Sequence, residues 1–66
     1  MQIQVNGDIL ELPDGATISA LVEQLELAGK RLAVEVNEDI VPRSRHAEYR
    51  LSAGDRVEVV HAIGGG

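Results

Sequence analysis

MQIQVNGDILEL, residues 1–12, decides the fold. Met1, Ile3 and Val5 alternate with glutamines, which is the period of a strand with one apolar face. Asn6-Gly7 follows, and Asp8–Leu12 alternates again. A two-residue turn between twisted strands needs positive φ at both central positions, and Asn-Gly is the pair that adopts it most readily. The stretch predicts a β-hairpin.

Beyond the hairpin, Pro13–Thr17 is turn chemistry. Thr17 is placed to cap a helix, its hydroxyl accepting from a free amide of the first turn. Ile18, Leu21, Val22 and Leu25 then recur at i, i+3, i+4 and i+7, the single apolar stripe of a short helix. Gly29 is expected as the left-handed residue that stops this helix, with Lys30 and Arg31 placing positive charge near its carbonyl end. Leu32, Val34 and Val36 share one face of a third strand. Asn37–Asp39 turns the chain, Ile40–Pro42 is a very short fourth strand, and residues 43–49 read as a loop with one tight helical turn. Residues 51–55 turn again, and residues 56–63 form the last strand, with Val57 and Val59 inward.

The order is β-β-α-β-β-β. A helix this short is stable only when its stripe lies on the sheet. The expectation is an α+β fold of the ubiquitin-like β-grasp kind, a mixed sheet of four to five strands packed on one helix. Residues 1–63 are expected to form a single domain, and residues 64–66 a flexible glycine tail.

Composition narrows the function. The chain has 66 residues and a net charge of −5, from eleven acids against six bases. Phosphate backbones require basic surface, and Tyr49 is the one aromatic available for stacking, so nucleic acid is disfavoured. With no cysteine there is no disulfide, thiolate metal site or cysteine nucleophile. No metal site is expected. No signal peptide or membrane-length apolar run is visible, so the expected location is cytoplasmic, away from membranes.

The sequence closes on Gly64-Gly65-Gly66. Extended, three glycines reach about 10 Å. Without Cβ atoms they pass through a slot that excludes side chains. The α-carboxylate at the tip is ionised at neutral pH and is a usable nucleophile toward the α-phosphate of ATP. The chain has no phosphate-binding loop of its own, so any such activation is the work of another protein.

The segments MQIQVNG, ATISALVEQL, AVEVNEDIVPR and LSAGDRVEVV, with the terminal GGG, resemble the ThiS family of sulfur carriers in thiamin biosynthesis over the whole length. The resemblance implies a carrier without a catalytic site. A ubiquitin-activating-like enzyme would use ATP to adenylate Gly66. A sulfur donor system would convert the adenylate to a thiocarboxylate, a covalent 1-thioglycine, and thiazole synthase would receive the sulfur. Gly65 completes the family's diglycine, and Gly64 lengthens the arm that threads partner active sites. The chain departs from the family in one place: an aromatic is expected shortly after VPR, where this sequence has His46 and then Tyr49. Three alternatives share the fold: a molybdopterin synthase small subunit, a ubiquitin-like modifier joined to lysines, and an inert interaction module.

Other residues suggest contacts. Ile9 is out of phase with Leu10 and Leu12, and Val60 with Val57 and Val59. Both are expected on the sheet face away from the helix, as an apolar partner patch, with Ala62 and Ile63 docking beside the tail. His46 and His61 read as solvated surface residues. Arg43, Arg45 and Arg50 read as a solvated basic cluster balancing nearby acids, with a partner contact as the alternative.

Overall fold

In the computed structural model, which describes residues 1–61 (His61 through its backbone alone), Asn6 and Gly7 take φ of 51° and 88°. They join β1 (Gln2–Val5) to β2 (Asp8–Glu11) as the expected hairpin, with Val5 opposite Asp8. A second hairpin repeats the device. Asn37 and Glu38, at φ 51° and 74°, join β3 (Leu32–Val36) to β4 (Asp39–Val41). The last strand, β5, is Arg56–His61.

The five strands form one sheet in the order β2-β1-β5-β3-β4. β5 is therefore central. It runs parallel to β1 and antiparallel to β3, and both hairpins are antiparallel, which makes the sheet mixed. Parallel neighbours need a crossover, and the helix α1 (Ile18–Gln24) lies within it.

α1 contributes Ile18, Leu21 and Val22 to one buried cluster with Ile3, Val5, Val34, Val36, Val57 and Val59 of the sheet. Leu12, Val41 and Leu51 complete it, and Leu25, Leu27 and Tyr49 pack at its margin. Ile18, Leu21 and Val34 have no exposed surface. Burying an aliphatic side chain of this size stabilises the fold by about 1.5–3 kcal/mol, which is how a helix of two turns holds its shape.

Thr17 caps α1 as expected, its hydroxyl accepting from the Ala20 amide at 3.1 Å. The other end differs from expectation. The left-handed residue is Glu26 at φ 61°, three positions before Gly29, and the helix ends at Gln24. The Glu26 amide donates to the Glu23 carbonyl at 2.9 Å, and the Leu27 amide to the Val22 carbonyl at 3.0 Å, a complete Schellman closure. The physical reason is Leu27. A helix continued to residue 29 would turn Leu27 away from the apolar stripe, whereas the early stop lays it against the core. Gly29 instead serves the following turn at φ 84°. Lys30 and Arg31 lie beyond the last helical turn, which contains no base.

Candidate functional site: the end of the central strand

β1 accompanies β5 only as far as Val5 opposite Val57, and β5 then runs on to His61. Unpaired backbone groups along that edge would be costly to bury. Asn6 supplies the missing partners. Its backbone amide donates to the Val57 carbonyl at 2.9 Å. Its side-chain Nδ2 donates to the Val59 carbonyl at 3.2 Å, and its Oδ1 accepts from the Val59 amide at 2.9 Å. A single side-chain amide thus continues the parallel ladder by one step. On the opposite edge β3 stays in register to Leu32 opposite His61. The strand that leads into residues 62–66 is held on both edges through Val59.

Asn37 performs the matching task where β5 begins. Its amide donates to the Arg56 carbonyl at 2.7 Å, its Oδ1 accepts from the Arg56 amide at 3.0 Å, and its Nδ2 donates to Asp55 at 3.1 Å. Both hairpin asparagines therefore work twice, as turn residues and as brackets on the central strand. The turn signal was visible in the sequence. The second role was not, because it depends on which strand lies alongside.

Ala62, Ile63, Gly64, Gly65 and Gly66 lie outside the described residues. Ile9 and Val60 are exposed, at 66% and 55%. The register sets them apart. Ile9 is level with Gln4 and so with Arg56, and Val60 lies four residues further along β5. That is two strands and four residues, about 16 Å, with Gln4, Arg56 and Glu58 on the face between them. They occupy separate corners and do not form one contiguous patch. Ile40 on the edge strand is more exposed than either, at 71%. Strand alternation beside the buried Val41 was the signal for it. Glu35 of β3 stands opposite Glu58 of β5, so the face carries a like-charged pair flanked by Ile40 and Val60.

His46 overturns its expected solvation. It is buried at 8%, and its Nε2 lies 2.9 Å from the Val41 carbonyl. A carbonyl only accepts, so Nε2 carries the proton. The His46 carbonyl accepts from the Ser19 amide at 3.0 Å, and its own amide donates to the Arg43 carbonyl at 3.1 Å. His46 thus fastens the 3₁₀ turn Arg43–Arg45 to β4 and to the first turn of α1. The three arginines part company. Arg45 pairs with Glu48 at 3.3 Å, Arg43 lines a groove beside α1, and the Arg50 guanidinium lies by Gly15.

Among the described residues no three His, Asp or Glu side chains are grouped to hold a metal ion, and no helix is long and apolar enough to cross a membrane.

Comparison with known proteins gives one consistent family. The family model described as the ThiS family matches residues 2–66. The chain is 37% identical over 65 residues to the sulfur carrier protein ThiS of Bacillus subtilis, covering 97% of this chain and 98% of that protein. It is 36% identical over 66 residues to a thiazole synthase of Paramagnetospirillum magneticum, covering 100% of this chain and 20% of that protein. The chain therefore spans about a fifth of the length of that relative. The crystal structure of a thiamine biosynthesis protein, ThiS, from Geobacter metallireducens superimposes with a TM-score of 0.84 at 26% identity, covering 100% of each chain.

Proposed function

The chain belongs to the ThiS family, and we propose that it carries sulfur on the carboxyl group of Gly66 for thiazole formation in thiamin biosynthesis. A Gly66 carboxylate oxygen attacks the α-phosphate of ATP on a separate activating enzyme, and pyrophosphate leaves. Sulfur at the sulfide level, delivered by a donor system, attacks the acyl carbon, and AMP leaves with the carboxyl oxygen. On thiazole synthase the C–S bond breaks and the sulfur passes at the sulfide level to the thiazole precursor. An oxygen supplied by that acceptor or by water takes its place on the acyl carbon and restores the carboxylate. The chain is the co-substrate in each step and the partners do the catalysis.

The observation that carries this reading is the family match, which runs through the three glycines to residue 66. The fold supports it. The strand before the arm is the middle of the sheet and is bracketed by Asn6, so the arm has a fixed root. The thiazole synthase that contains a match to this whole chain favours that partner over the molybdopterin alternative.

Removal of Gly65 and Gly66 tests the reading. The shortened chain should melt at the same temperature as the parent and fail to support thiazole formation in a reconstituted system of activating enzyme, sulfur donor, ATP and thiazole synthase. Undiminished thiazole formation would refute the proposal.

A further inference from the structure

A groove of about 290 Å³ lies between α1, the turn before β3 and the 3₁₀ turn. Lys30 and Arg43 supply its positive charge, and Glu23 is the one acid on its wall. Neither Lys30 nor Arg43 enters an ion pair among the described residues. Leu32, also on the wall, is the register partner of His61. The groove is therefore at the root of the arm. Arg43 is well placed by construction, since Pro42 at φ −61° enters the 3₁₀ turn and buried His46 ties that turn down.

We infer that Lys30 and Arg43 dock against acidic side chains at the rim of the activating enzyme's site, the one that takes the arm. This rests on the proposed carrier role. From His61, five residues extend about 17 Å at most. For Gly66 to reach ATP inside a protein, the carrier body must press against the mouth of the site, and the root of the arm is what presses. Cations covered there without partners would be costly, so the rim must supply carboxylates. In a chain of net charge −5, such a cationic spot also fixes orientation. The rest of the surface is repelled by an acidic rim, and the arm's root is drawn to it.

The test is ATP-dependent pyrophosphate release by the activating enzyme, measured against carrier concentration for the parent, Lys30→Glu, Arg43→Glu, the double variant, and Arg50→Glu as a basic residue outside the groove. The double variant should raise KM about tenfold at low salt with little change in kcat, and the difference should shrink as salt screens it. Arg50→Glu should match the parent, and all variants should keep the parental melting temperature. An unchanged KM in the double variant, with the parent fully active, overturns this inference and leaves the carrier role standing. No pyrophosphate release from the parent overturns both. Inorganic phosphate alone shifting the NMR signals of Lys30 and Arg43 in the free carrier, together with an unchanged KM, would assign the groove to small anions instead.

Discussion

Asn6 and Val59, fifty-three residues apart in sequence, exchange two hydrogen bonds through one side-chain amide and one backbone unit. The asparagine belongs to the first turn of the chain, and the valine to the strand that launches its last residues. The packing of the amino-terminal hairpin is thereby coupled to the footing of the arm. Asn6→Gly isolates this contact, because glycine keeps the positive φ and removes only the side chain. Two hydrogen bonds at about 0.5–1.5 kcal/mol each predict a loss of about 2 kcal/mol in chemical denaturation. Amide exchange at Val59, whose N–H loses its acceptor, should accelerate more than at residue 6, whose own N–H still donates to the Val57 carbonyl.

Asn37→Gly should give the complementary pattern. Its side chain holds Arg56 and Asp55 at the opposite end of β5. Exchange should quicken at the Arg56 amide and stay slow at Val59. If both variants loosened the same amides, the two brackets would be one cooperative unit and their separate assignment would be wrong.

His46→Ala removes the donor to the Val41 carbonyl and empties buried space beside α1. A cost of about 1–3 kcal/mol is expected. A domain of this size holds about 3–10 kcal/mol in total, so a thermal melt should show a drop of many degrees. A melting temperature equal to the parent's would mean that the 3₁₀ turn does not depend on this residue.

Val60→Asp and Ile9→Asp should both leave the fold intact, since each side chain is more than half exposed. Because the two lie about 16 Å apart, their effects on binding to a partner should be independent and additive in free energy. Surface plasmon resonance against thiazole synthase and against the activating enzyme reads this directly. Strong non-additivity would indicate a patch bridged by a single partner side chain.

Local chemistry made most of the fold legible. The Asn6-Gly7 turn, the Thr17 cap and the valine alternation of β3 and β5 are each decided by neighbours within a few residues. The features that escaped are decided by distant contacts. Glu26 takes a conformation suited to glycine because Leu27 must reach the core. His46 is buried because β4 offers it a carbonyl. The exposure of Ile9 and Val60 followed from alternation, but their separation depends on strand order and register, which alternation does not encode. The proposed reaction lies on Gly66, and there the sequence and its family resemblance carry the argument, because the described residues end at 61.

The most direct measurement is the intact mass of the protein isolated from cells, before and after a thiol-alkylating reagent. The sequence contains no cysteine, so any thiol-like alkylation reports sulfur added after synthesis. The account predicts a fraction of chains heavier by one oxygen-to-sulfur exchange, with the alkylated group mapped to Gly66. An unmodified carboxylate, persisting even when activating enzyme, ATP and a sulfur source are supplied, would contradict it.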